Sequence, residues 1–69
     1  SIIDESNEHS VIALLTESLE HERKAVSLYM QLLDEVEGKS IYLEEYAKEM
    51  IKSEEIHSLE VEKMLRDYE

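Results

Sequence analysis

The sequence predicts an all-α fold: one antiparallel two-helix hairpin over residues 1–69 that pairs with a second chain into a four-helix bundle. Three observations predict it. Two long segments carry apolar residues at strict steps of three and four, the heptad mark of helices packed near-parallel. The single glycine, Gly38, lies between them. And 69 residues without cysteine are too few to bury a sizeable core or to be stapled by disulfides, so a partner chain or a metal is needed.

Residues 1–7 read as a polar lead-in, with Ser6, Asn7 or Ser10 as candidate caps and Glu8 suited to the first turn. The first helix is expected over about 8–37. Its seam runs Ile12, Leu15, Leu19, Glu22, Val26, Tyr29, Leu33, Val36. Val11, Leu14, Ala25, Leu28 and Leu32 widen the stripe, which favours a globular bundle over the narrow seam of a two-stranded coiled coil. Gly38 falls just past the last periodic residue, where a left-handed conformation ends a helix. A turn over 38–40 follows, with Ser40 as the next cap. So short a turn makes the helices antiparallel neighbours.

The second helix is expected over about 41–67. Its seam runs Leu43, Ala47, Met50, Glu54, His57, Val61, Met64, Tyr68, flanked by Ile51, Ile56, Leu59 and Leu65. Glu44 and Glu45 suit its positive end, and Lys63 and Arg66 its negative end.

Composition narrows the function classes. Eighteen acidic against seven basic residues give a net charge of −11, and no basic stripe offsets it, so nucleic-acid binding is not expected. No apolar run approaches the ~20 residues of a membrane span, and no signal peptide is visible. The chain begins without Met and reads as a fragment of a longer one; a cytoplasmic origin is expected.

Three side chains interrupt the apolar seams: Glu22, Glu54 and His57. Glu22 stands sixteen residues before Gly38 and Glu54 sixteen after it, so each lies ~24 Å from the turn at the helical rise. His57 is one turn beyond Glu54 on the same face. The three should therefore meet midway along the hairpin. Carboxylates on a buried seam need a partner, and oxygen donors with an imidazole suit divalent Fe, Mn or Zn. One hairpin offers only three donors. Two hairpins about a twofold axis offer four Glu and two His, whose four negative charges balance two divalent ions. That is the donor set of di-iron carboxylate bundles.

On these residues the chain resembles the ferritin-like superfamily. Glu22 matches the first-helix Glu ligand and Tyr29 a Tyr two turns after it. Glu54 and His57 match the bridging Glu and the His of the Glu-x-x-His motif. The string Glu54-Glu55-Ile56-His57 is similar to rubrerythrin, bacterioferritin and encapsulated-ferritin versions. Two helices rather than four make the chain most similar to the encapsulated ferritins, whose two-helix chains build a ferroxidase site between subunits. The resemblance implies iron, with Mn or Zn as alternatives, and oxidation of Fe(II) to Fe(III) by O2 or peroxide for iron storage or detoxification. It implies Glu22, Glu54 and His57 as ligands and Tyr29 beside them. It implies a homodimer or a higher homo-oligomer such as a ring of dimers, and an encapsulin shell as partner and location. The C-terminal tail that targets those proteins to the shell is not found up to Glu69. Haem is not expected, because Glu55 stands where bacterioferritin places its haem-ligating Met.

Two other readings of the same residues stay open. One is a non-catalytic metal-stabilised oligomer. The other is a helical-hairpin interaction module whose polar seam residues set register. Met30, Met50 and Met64 read as gap-fillers. His9 and His21 read as surface residues, with Glu17 and His21 on one face as a minor cation site. Asp34, Glu35, Glu37, Glu44 and Glu45 form an acidic, solvated tip.

Overall fold

The computed structural model describes residues 5–68, with side-chain burial described over 8–68. It is a two-helix antiparallel hairpin measuring 53 × 17 × 14 Å. Helix α1 spans Glu5–Val36 and helix α2 spans Ile41–Arg66. No helix among the described residues is long and apolar enough to cross a membrane. The first helix starts earlier than periodicity suggested: Ser6, Asn7 and Ser10 lie inside α1, and its N-cap falls outside the described residues. Apolar spacing locates where a helix begins to pack, whereas the backbone can coil before that point.

The turn is built by three residues. Gly38 takes φ 78°, a conformation that a Cβ disfavours. Its N–H donates to the Glu44 carboxylate Oε2 at 3.0 Å. The Val36 carbonyl accepts from Lys39 at 2.8 Å and from Ser40 at 3.0 Å, which closes the end of α1. Ser40, extended at φ −148° and ψ 110°, caps α2 by accepting from the Leu43 N–H at 3.2 Å. Glu44 thus ties the first turn of α2 back to the chain leaving α1. At the far end Lys63 and Arg66 occupy the last turn of α2, where cations are favoured.

Packing between the helices centres on Leu19, Ala47 and Val61, the buried apolar residues among those described. Ala47 is 0% exposed; its single methyl lets the two backbones approach near the turn. All eight seam residues of α1 are buried or half-buried. The seam expected on α2 needs correction. The covered stripe runs Glu44, Ala47, Ile51, Glu54, Ser58, Val61, Leu65, again at steps of three and four. It shares Ala47, Glu54 and Val61 with the expected seam but is rotated to one side of it. Leu43, His57, Met64 and Tyr68 are exposed, and Met50 is half-buried. Apolar residues stand on both sides of the Ala47–Glu54–Val61 line, and a single neighbouring helix covers only one side.

Candidate metal centre

The site is set by the register of the hairpin. Gly38 fixes where the chain reverses, and the equal spacing of Glu22 and Glu54 from it puts them at one height. His57 follows one turn later on α2. In the structure one donor atom from each of Glu22, Glu54 and His57 lies within 4.8 Å of the others. The His57 Nδ1 faces the Glu22 Oε2 at 3.7 Å, too long for a hydrogen bond. The Glu22 side chain is 20% exposed and that of His57 is 55% exposed. Glu54 is half-buried. His57 was expected on a buried seam and is instead at the open edge described above.

One atom stands out. The Glu22 Oε2 is buried and has no hydrogen-bond partner among the described residues. Buried carboxylate oxygens rarely go unpaired, because the lost hydration costs ~1–3 kcal/mol or more. A second carboxylate within 4.8 Å adds repulsion rather than relief. A divalent cation would satisfy both carboxylates at once, and the imidazole Nδ1 faces the same point. The residues therefore could hold a divalent metal ion.

The site opens sideways. Glu22, His57, Glu60, Val61 and Met64 line one open groove along the hairpin. Arg23, Glu55, Ser58, Leu59 and Glu62, with Val26, line the groove on the other side. Glu22 and His57 thus give onto the side where Met64 is exposed, away from Arg23.

Tyr29 is half-buried on α1, two turns from Glu22 toward Gly38. Its ring meets that of Tyr46 edge-on, with centroids 6.1 Å apart and planes at 75°, a favoured aromatic geometry. The Tyr46 phenol pushes the Tyr29 phenol above its ordinary value of 10.0, and desolvation adds to the rise. Sequence reading missed Tyr46. Counting from Gly38 would have found it: Tyr29 stands nine residues before and Tyr46 eight after. Glu60 was also missed, since nothing in its spacing marks a groove-lining residue. His21 Nε2 and Glu17 Oε1 lie 4.0 Å apart with both side chains well exposed, a two-donor surface pair. His9 is exposed.

No protein-family model matches the chain, and neither known proteins nor solved structures give a match. The fold and the carboxylate–histidine cluster therefore carry the functional reading.

Proposed function

We propose that two copies of this hairpin close a ferritin-like four-helix bundle, and that Glu22, Glu54 and His57 of both copies form one di-iron ferroxidase site. The observation that carries this reading is the donor trio with its orphaned Glu22 Oε2. The exposed edge of Leu43, His57, Met64 and Tyr68 supports the pairing, because it gives a second copy apolar surface to cover. Iron is the substrate. Two Fe(II) ions together give two electrons to dioxygen, which takes up two protons and leaves as hydrogen peroxide, or to hydrogen peroxide, which takes up two protons and leaves as two waters; both irons leave as Fe(III).

The chain's own residues do three things. Glu22 and Glu54 supply anionic oxygens, which favour a hard cation and, more strongly, the higher charge of Fe(III). His57 presents Nδ1 to the same point, 3.7 Å from the Glu22 Oε2, and would donate a neutral nitrogen lone pair there. Val61 and Met64 line the approach and, with a second copy against them, exclude water and strengthen the electrostatics of the site.

Anaerobic titration with Fe(II), followed by air, tests the proposal. A ferric absorbance rise saturating at two irons per pair of chains is expected. No rise, or a rise unchanged in Glu54→Ala, overturns the ferroxidase. A higher melting temperature with Zn(II) but no oxidation of Fe(II) would leave the metal-stabilised oligomer in its place.

A further inference from the structure

Ile41, Tyr42, Glu45, Tyr46 and Glu49 line an open groove at the turn end of α2. Tyr42 and Tyr46 stand four residues apart, as do Glu45 and Glu49, so successive turns of one helix set two rings beside two carboxylates. Tyr42 is 80% and Ile41 78% exposed. Tyr46 is also exposed, and its ring is held edge-on by Tyr29. Contiguous aromatic and aliphatic surface rimmed by charge is the make-up of a binding site rather than of scattered surface apolarity. Tyr42 and Glu49 each stand one residue before Leu43 and Met50, which turns them about 100° round the helix from the line that carries His57.

Charge selects the occupant. Glu44 is engaged by the Gly38 N–H, but Glu45 and Glu49 are exposed, and among the described residues no lysine or arginine comes within 4.0 Å of either. One turn apart, their carboxylates repel each other, and a cation set between them removes that repulsion. From Asp34 to Glu49 the chain holds six acidic residues against two lysines. That balance repels a nucleic acid or an anionic membrane, and the net charge of −11 disfavours a second copy. A basic partner is what complements it. Two rings and two carboxylates together suit a guanidinium above an ammonium, because its plane stacks on a ring while its forked donors pair with carboxylates. The groove is open rather than enclosed, so it suits a side chain carried on a partner's backbone rather than a free small ligand.

We infer that this groove is a docking site for an arginine-bearing basic segment of a different protein, its guanidinium seated against the Tyr42 and Tyr46 rings and paired with Glu45 and Glu49. The Tyr29 contact holds one of the two rings in place before binding, which lowers the ordering cost. Ile41 offers apolar surface to the aliphatic stem of the incoming side chain. The site uses none of Glu22, Glu54 or His57, so it stands or falls apart from the metal reading.

A peptide titration of the full chain tests it, with chelator present. The probe is a short alanine-based peptide amide carrying two arginines, and the same peptide with citrulline or with lysine in their place serves as control. Binding is read from backbone amide resonances of the isotope-labelled chain, and helicity from circular dichroism. Saturable shifts clustered over residues 41–49 are expected with the arginine peptide, weaker ones with lysine and none with citrulline. Tyr42→Ala is expected to weaken binding about three- to fivefold at unchanged helicity, and Glu45→Gln combined with Glu49→Gln by a similar factor. Glu35→Gln combined with Glu37→Gln removes the same charge from the tip but outside the groove, and is expected to change affinity by less than about twofold. Shifts spread evenly over the acidic tip, equal binding of the lysine or citrulline peptide, or equal losses in the two charge-removal pairs overturn the inference. So does a Tyr42→Ala variant that binds as the wild-type chain does. Shifts at the groove that grow with chain concentration in the absence of peptide would give the surface to a second copy and overturn it as well.

Discussion

Along α1 the seam from Ile12 to Val36 is buried or half-buried throughout, whereas along α2 Leu43, His57, Met64 and Tyr68 stay exposed. Both seams are strict heptads, so periodicity does not separate them. The difference is geometric. On α2 the line through Ala47, Glu54 and Val61 has apolar residues on both sides: Ile51 and Leu65 on one, Met50 and Met64 on the other. Helix α1 covers the first side only. The metal trio sits across this boundary, with Glu22 and Glu54 half-buried and His57 beyond it. A site that straddles the covered and uncovered parts of a helix is one whose completion depends on what covers the rest.

Three substitutions sharpen this contrast. The largest effect is expected from Glu22→Leu. It removes a buried, unpartnered carboxylate oxygen, so denaturant unfolding with chelator present should show the metal-free protein stabilised by ~1–3 kcal/mol. The same variant should lose the metal-induced rise in melting temperature. A metal-free protein destabilised by Glu22→Leu would mean that the carboxylate is satisfied in another way. Ala47→Leu comes next. Ala47 is fully buried where the helices approach near the turn, and overpacking there should cost ~1–3 kcal/mol of unfolding free energy. Enlarging Leu43 to Phe on the exposed side should cost far less in the isolated hairpin, and equal costs would refute the asymmetry between the two sides.

The smallest effect concerns Tyr29, whose phenol is raised by Tyr46 and desolvation. The fold favours the protonated form. Its contribution to stability is therefore complete below pH 10 and is lost as pH rises through the folded value. Spectrophotometric titration should show one tyrosine ionising above the rest, and Tyr46→Phe should bring it down.

Much of this was legible in the sequence. Gly38 and Ser40 marked the turn because only one residue could take the left-handed bend and one hydroxyl could cap what followed. Glu22 and Glu54 were placed at one height by counting from that turn, and His57 followed from helical spacing. The helix start was not legible, because periodicity is silent where a helix does not yet pack. The side of α2 that meets α1 was also not legible. Choosing between Ile51, Ser58 and Leu65 or Met50, His57 and Met64 requires the backbone approach that Ala47 allows, and spacing alone carries no such information. Nor could spacing show that one oxygen of Glu22 would be buried and the His57 ring left open.

The exposure of His57 has a consequence for how this protein would respond to its own abundance. A chain that holds three donors in place offers a weak, labile grip on a cation, and under the proposed pairing the full grip appears only when two chains meet. The concentration of loaded pairs would then follow the square of chain concentration at high dilution, and the occupied fraction of chains its first power. Titrations at nanomolar and micromolar protein would report different apparent affinities for the same ion. Scarce chains would release their cargo, and abundant ones would retain it.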